Sequence, residues 1–382
     1  MARFISWYVV VWAACYTQAI GSTSGSLILR NRAIGVPALG IHISSLVVLI
    51  GISVASFAHG SAYAGNSYSR SAYAVNAYAG NKNEGMRLLP FPTEYSVGTL
   101  GLLDKTHALT AKGKLLPIGE ARGLIKVPQD KLVKLYPGVQ FFQHPEFLLK
   151  LPPDGIDYIN LRFTAMTDAD EKISDRLVPY IHHLSGLKGI DMDQSETTDA
   201  GLSKLGVMPE LRALALAETM VTGKCLRDLT GCKKLEALRF GKETIDNESL
   251  RYLKEFPNLA NLELSRTNLS LRGLEHVSKC TKLKSLDINE NPAIDDRAVP
   301  LLLKLTNLDH LFIKQTKISF AGLLQLSKLG TIKIALPQSF DRYTKAQQEQ
   351  IRKHFPLVKR KKAKGEVEVD SYTKTMFGPL SR

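Results

Sequence analysis

Leucine and isoleucine recur along the second half of the chain, at positions 1, 4 and 6 of a repeated unit. Five units begin at intervals of 24 residues, a sixth follows after 25, a longer unit precedes them and a shortened unit closes the set. The units begin at Ile156, Leu187, Leu211, Leu235, Leu259, Leu283, Leu308 and Leu329. Such regularity predicts about eight structurally equivalent repeats.

Each unit combines two periodicities. Positions 4 and 6 alternate with polar residues, which predicts a short strand with one buried face. Positions 16, 19 and 22 are apolar at helical spacing, which predicts a helix packed on the same core. Position 9 is usually Ser, Thr or Asn, with Glu243 as the exception. A small polar side chain there can satisfy backbone groups where the chain leaves the strand.

The unit resembles the leucine-rich repeat in its cysteine-containing and bacterial form, L-x-x-L-x-L-x-x-T-x-[IV]-x-D-x-x-L-x-x-L-x-x-C. Thr198-Asp199 and Ile294-Asp295-Asp296 are similar to that family's turn into the helix. The resemblance implies an α/β solenoid, a horseshoe with a parallel sheet on its concave side and helices on its convex side. It also implies a binding role without catalysis. Eukaryotic relatives often join such repeats to an F-box and select substrates for ubiquitin ligases, which is an alternative function.

The segment before the repeats, residues 86–152, contains short apolar runs separated by Gly and Pro, followed by one predicted short helix at Pro145–Leu151. This pattern predicts a small β-rich N-terminal cap. A cap is expected because the first repeat has no neighbour on one side. We assign the solenoid to residues 153–358, ending in a helix near Arg342–His354, and a basic tail to residues 359–382.

Two apolar stretches lie near the N-terminus, at residues 4–14 and 39–57. The second follows two arginines and precedes Ala62-Tyr63-Ala64. A basic region, an apolar region and a small-x-small site are typical of an export signal. We therefore assign residues 1–64 to export or membrane segments and residues 65–85 to a linker.

The mode of anchoring has three alternatives. The signal is cleaved near Ala64, with translation starting nearer Leu29, or both apolar stretches insert as a hairpin with the intervening arginines in the cytoplasm. In the third, Cys15 lies in a sequence similar to a bacterial lipoprotein box. We expect an extracytoplasmic protein, secreted or membrane-anchored, with membrane contact through these segments.

Binding is expected on strand side chains that point away from the core. The register predicts this set as Asp191, Asp193, Arg239, Asn261, Glu263, Asp287, Asn289, His310, Phe312 and Lys314. Arginine and aromatic side chains often dominate interfaces, so Arg239, Glu263, Asp287, His310 and Phe312 are the principal predicted contacts. The concave face has no basic stripe with interleaved aromatics, so we expect no nucleic-acid partner despite the formal charge of +14. We expect a protein ligand, with a polysaccharide bound by a surface adhesin as the alternative.

The cysteines are predicted to be core thiols. Cys232 and Cys280 occupy the same position two repeats apart. A strand spacing of roughly 4.8 Å places them roughly 10 Å apart, beyond the roughly 7 Å Cα separation that a disulfide tolerates.

No set of residues has the spacing of a catalytic or metal site. Residues 21–25 and 108–114 depart from the nucleophile-elbow and P-loop patterns that they partly match. His182 and His183 are adjacent, so on a helix they point in different directions, and no companion ligands surround them. We therefore predict a protein without enzymatic activity, metal or cofactor.

Overall fold

The computed structural model describes residues 85–104, 115–162 and 173–355, all within one compact unit at residues 72–382. The predicted export segments, Cys15, most of the linker and the basic tail lie outside the described residues. So do residues 21–25 and 108–114. Within the described ranges, no helix has both the length and the apolarity needed to cross a bilayer.

Eight parallel strands form the repeat array. They are β6 (Tyr158–Asn160), β7 (Gly189–Asp191), β8 (Ala213–Ala215), β9 (Ala237–Gly241), β10 (Asn261–Ser265), β11 (Ser285–Asp287), β12 (His310–Phe312) and β13 (Lys333–Ala335). Neighbouring strands pair at matching repeat positions, as where Leu214 lies between Ile190 and Leu238. The predicted number of repeats and their strand register are confirmed.

The second half of most units is a short α-helix or a 3-10 segment, whereas a helix was predicted in each. The α-helices are α1 (Val139–Gln143), α2 (Ile173–His183), α3 (Asp199–Ser203), α4 (Leu271–Val277), α5 (Val299–Leu302), α6 (Phe320–Gln325) and α7 (Lys345–His354). The 3-10 segments are Pro145–Lys150, Lys224–Arg227, Ser249–Glu255, Asp296–Ala298, Leu326–Leu329 and Phe340–Arg342. The units beginning at Leu211 and Leu235 contain only 3-10 segments. A 3-10 segment rises about 2.0 Å per residue and so crosses the unit with fewer residues than an α-helix.

Position 9 has the predicted role. The hydroxyl of Ser195 donates to the Met192 carbonyl oxygen at 2.7 Å, and that of Thr219 donates to the Leu216 carbonyl oxygen at 2.7 Å. Thr267 and Thr316 repeat the contact with their own position-6 carbonyls. These bonds satisfy the backbone where the chain leaves each strand.

A second ladder of polar contacts joins successive units on the helix side. A Ser or Thr at or just before the start of a helical segment contacts an Asp or Asn of the preceding unit through both its backbone N–H and its hydroxyl. The pairs are Thr198–Asp175, Thr222–Asp199, Ser270–Asn247 and Ser319–Asp296. Thr198, Ser270 and Ser319 are each followed, three residues later, by a glycine. The glycine leaves room for the carboxylate or amide of the preceding unit.

Replacing Gly201 by alanine tests this ladder. Its new Cβ would lie 1.8 Å from Oδ1 and 2.0 Å from Cγ of Asp175, so the carboxylate must leave Thr198. Lost hydrogen bonds outweigh the helix propensity gained, and we expect the free energy of unfolding to fall by about 1–2 kcal/mol in urea titrations. Gly138→Ala is the control, since its nearest neighbour lies at 3.5 Å. Equal stability changes in both variants would contradict the packing argument.

The residues before the repeats add five strands, β1 (Met86–Pro90), β2 (Gly98–Asp104), β3 (Leu116–Glu120), β4 (Leu124–Pro128) and β5 (Lys131–Pro137). β1 and β4 form a separate two-stranded sheet. β5 pairs parallel with β6, so β5, β2 and β3 extend the repeat sheet to eleven strands. The β-rich cap was predicted, but its continuity with the repeat sheet was not.

The core is continuous along the array. Cys225, Cys232 and Cys280 are buried free thiols, as predicted, and burial raises the pKa of Cys280 to about 12. The register, the repeated core and the helical or 3-10 return segments define an α/β leucine-rich-repeat solenoid.

Candidate functional site

The candidate site is the strand face, defined as the side chains of β6–β13 and their next residues that point away from the core. The parallel register arranges these side chains in rows. One row contains Asp191, Ala215, Arg239, Glu263, Asp287 and Phe312. The structure therefore places the predicted residues on one surface, but their burial divides that surface into two halves.

The N-terminal half of the strand face is a buried ion network. Arg239 lies 2.8 Å from Asp193 through Nη1 and 3.2 Å from Glu263 through Nε. Arg162 contacts Asp193 at 3.0 Å and Asp191 at 3.1 Å. Asp191 and Asp193 are 5% and 2% exposed, and Arg239 is 9% exposed. These residues were predicted to contact a ligand, but they form ion pairs within the protein.

Small side chains make this network possible. Arg239 of β9 reaches Asp193, which follows β7, across the intervening strand, whose outward residues are Ala213, Ala215 and Ala217. Larger side chains there would stand in the path of the guanidinium. Gly189 likewise leaves room for a larger neighbour, since a Cβ at this position would lie 2.4 Å from the Tyr158 ring.

Arg162 was missed by the sequence prediction. It occupies position 7 of the first unit, in the same outward phase as Asp193 in the next unit. Applying the same outward positions to the first unit would have identified Arg162, and would have placed it opposite the negative charges of Asp191 and Asp193.

The C-terminal half of the strand face is more open. Asn261, Glu263, Asn289, His310 and Phe312 are partly exposed, and Lys314 is exposed. The His310 and Phe312 rings stack with centroids 6.4 Å apart and planes inclined by 13°. Asp287 is buried and accepts the Asn289 backbone N–H at 2.9 Å. The aromatic pair and the neighbouring polar groups therefore form the accessible part of the predicted site.

Two carboxyl groups near the network titrate above their ordinary range. Burial raises the pKa of Asp193 to about 6, although Arg239 opposes the shift. Burial also raises the pKa of Glu243 to about 8, against hydrogen bonds donated by the backbone N–H groups of Gly241 and Glu218. Glu243 is the residue that departs from the position-9 pattern.

Glu243 is expected to make stability depend on pH. A carboxyl whose pKa is higher in the folded protein favours folding when protonated, so its contribution declines as pH rises from about 4.5 to about 8. Glu243→Gln keeps an amide oxygen for the Gly241 N–H and should remove this decline. We expect the variant to gain about 1 kcal/mol at pH 8 relative to pH 5, allowing for solvent screening. Urea unfolding at both pH values measures the gain, and parallel pH profiles would exclude the effect.

The histidine pair has structural contacts. His182 Nδ1 lies 2.7 Å from the Leu205 carbonyl oxygen, and His183 Nε2 lies 2.9 Å from the Leu151 carbonyl oxygen. The two rings therefore engage different segments. Across residues 85–104, 115–162 and 173–355, no group of three or more His, Cys, Asp or Glu side chains is arranged to hold a metal ion.

No family model matches the sequence. A protein of Trypanosoma equiperdum, provisionally named as an adenylate cyclase regulatory protein, is 28% identical over 131 residues. The match covers 34% of this chain and only 20% of that protein's length.

Two solved structures from Listeria monocytogenes each match 48% of this chain. An internalin has 18% identity and a TM-score of 0.30 over 61% of its length. Internalin C2 has 20% identity and a TM-score of 0.32 over 82% of its length. The assignment of the fold rests on the strand register and repeated core described above.

Proposed function

We propose that this chain is a non-enzymatic protein-binding repeat protein, and that its ligand contacts the C-terminal half of the strand face. The contact surface comprises Asn289, His310, Phe312 and Lys314. The observation that carries the proposal is the stacked His310–Phe312 pair, partly exposed and flanked by polar groups. Aromatic anchors with a polar surround are typical of the energetic centre of protein interfaces.

The division of the strand face supports this narrower site. Arg239, Asp191 and Asp193 neutralise one another with Arg162, so a ligand would have to break buried ion pairs to use them. Breaking such a pair by removing one partner costs about 3–5 kcal/mol. Phe312 is uncharged and partly exposed, so a ligand can contact its ring without separating an ion pair.

Site-specific photocrosslinking in the native host tests the proposal. A photoreactive phenylalanine analogue replaces Phe312 in one strain and Met220 in another. Met220 is 64% exposed and lies off the strand face, so it serves as the control. We expect a discrete crosslinked protein from position 312 and none from position 220, and loss of the adduct when His310→Ala is added. Identical adducts from both positions, or none from position 312, would contradict the assignment.

We further propose that the chain acts outside the cytoplasm, either secreted or anchored in a membrane. The support is the order of basic, apolar and small residues within residues 1–64. Cell fractionation combined with N-terminal sequencing of the mature protein tests this proposal. An uncleaved chain in the cytosolic fraction would contradict it, whatever the outcome of the crosslinking.

A further inference from the structure

A shallow groove lies along the edge of the solenoid where β9–β12 begin. Its volume is about 420 Å³. Its lining residues are Glu236, Asn258, Ala260, Lys282, Lys284 and Asn307. Each of them stands directly before or after the first leucine of its unit, in four successive units. The groove is thus built from the repeat itself and is distinct from the strand-face residues proposed above.

The charge of this edge changes along the array. Nearer the N-terminus, basic residues at equivalent positions are neutralised by acidic residues of adjacent units. The pairs are Lys188–Asp157, Arg212–Glu236 and Lys234–Glu210. In the groove, by contrast, Lys282 and Lys284 are exposed and form no ion pair with any described residue, Asp309 of the next unit included. The two ammonium groups of the groove are therefore not held in ion pairs with described residues and can contact a ligand.

Two asparagines flank Lys282 at the equivalent positions of the adjacent units. The amide nitrogen of Asn258 donates to the Lys233 carbonyl oxygen at 2.9 Å, and that of Asn307 donates to the Thr281 carbonyl oxygen at 2.7 Å. These contacts fix both side chains and use only their amide nitrogens, so their side-chain oxygens are not committed by these two bonds. Glu236 adds a carboxylate that Arg212 holds in place.

We propose that this groove binds an acidic polysaccharide. The anionic groups of the sugar chain contact Lys282 and Lys284, and its hydroxyls donate to the oxygens of Asn258 and Asn307. A groove that crosses four units suits an extended chain, which can contact successive units along its length.

The lining favours this ligand over two other polyanions. A single-stranded nucleic acid gains much of its affinity from stacking on aromatic side chains, and none of the lining residues is aromatic. An acidic peptide would gain from apolar contacts, whereas Ala260 is the one apolar residue among them. Fixed oxygen acceptors beside ammonium groups suit a ligand that is rich in both hydroxyls and anions.

Titration calorimetry on the purified full chain at low salt tests the proposal. The probes are an oligogalacturonate, a sulfated oligosaccharide, a neutral maltooligosaccharide and a polyglutamate of similar length. We expect one or both acidic saccharides to bind, which identifies the anionic group, and the neutral one not to bind. Lys282→Gln with Lys284→Gln should weaken binding by about tenfold or more, and added salt should weaken it further.

Two further variants separate this site from general charge attraction. Lys204→Gln with Lys224→Gln removes the same charge from exposed lysines on the helix side and should change the dissociation constant less than about twofold. Asn307→Ala should weaken saccharide binding, since it removes a side chain that accepts a sugar hydroxyl. Absence of saccharide binding, equal losses in both lysine pairs, or no effect of Asn307→Ala on saccharide binding would overturn the proposal. Far-ultraviolet melts confirm that each variant is folded.

Discussion

Replacing Arg239 by alanine is expected to lower the free energy of unfolding by about 3–5 kcal/mol at pH 8. The Asp193 side chain is only 3% exposed and would lose its 2.8 Å contact with the guanidinium. Glu263, with an 18% exposed side chain, would lose the same cation. Among the residues that the structure describes, Arg162 would remain as the one basic side chain in ion-pair contact with Asp191 and Asp193. Urea unfolding followed by circular dichroism measures the loss.

The loss should shrink as the pH falls. Burial raises the pKa of Asp193 to about 6, so this carboxyl favours the folded state when protonated, below that pH. Folding stability that comes from protonated Asp193 is lost as the pH rises through about 6. Removing the Arg239 guanidinium makes ionised Asp193 still less favourable in the folded protein. The difference between Arg239→Ala and the natural protein should therefore be larger at pH 8 than at pH 5.

A surface ion pair provides the matched control. Arg266 contacts Glu290, and their side chains are 50% and 30% exposed. Arg266→Ala should destabilise the protein far less than Arg239→Ala, because solvent screens exposed pairs. If Arg239→Ala were no more destabilising than Arg266→Ala, or equally destabilising at both pH values, the buried network would not have the role assigned to it.

The repeat core could be predicted because it follows from a period. Leu214, Leu238 and Leu262 recur at the same position of 24-residue units, and a parallel sheet places such residues side by side. The cap illustrates the opposite case. β5 joins the sheet because Lys134 and Leu135 pair with Tyr158 and Ile159, a tertiary contact that no local period encodes.

The sequence predicts which side chains lie on the strand face, but it does not predict how exposed each of them is. The register showed which side chains leave the core, whereas the exposure of a charged side chain depends on the strands beside it. Arg239 is buried because Asp193 and Glu263 flank it and because the strand between Arg239 and Asp193 carries alanines. The alternation of charge across neighbouring strands is visible in the sequence once the register is known. The groove at Lys282 and Lys284 could not be predicted in this way, because only the structure shows which lysines along this edge form ion pairs.

Asp157→Ala is expected to destabilise the junction between the cap and the first repeat by about 3–4 kcal/mol. The side chain is 3% exposed and accepts the Arg87 guanidinium at 3.0 Å and the Val133 backbone N–H at 2.8 Å. Its other oxygen accepts Lys188. One carboxylate thus connects β1, β5 and the turn before β7.

Because the end of a repeat array depends on its cap, the effect of Asp157→Ala should be local as well as global. Hydrogen exchange should show a larger loss of protection at Val133 than at Leu286, which lies in β11, an interior strand remote from the cap. Asp157→Asn should recover part of the loss, since its amide oxygen can still accept the Val133 N–H. Lys131→Ala is the control, since it breaks the exposed contact with Asp104 at 2.5 Å and should cost less than about 1 kcal/mol. Uniform loss of protection at Val133 and Leu286 would show that the carboxylate stabilises the whole solenoid rather than the cap junction.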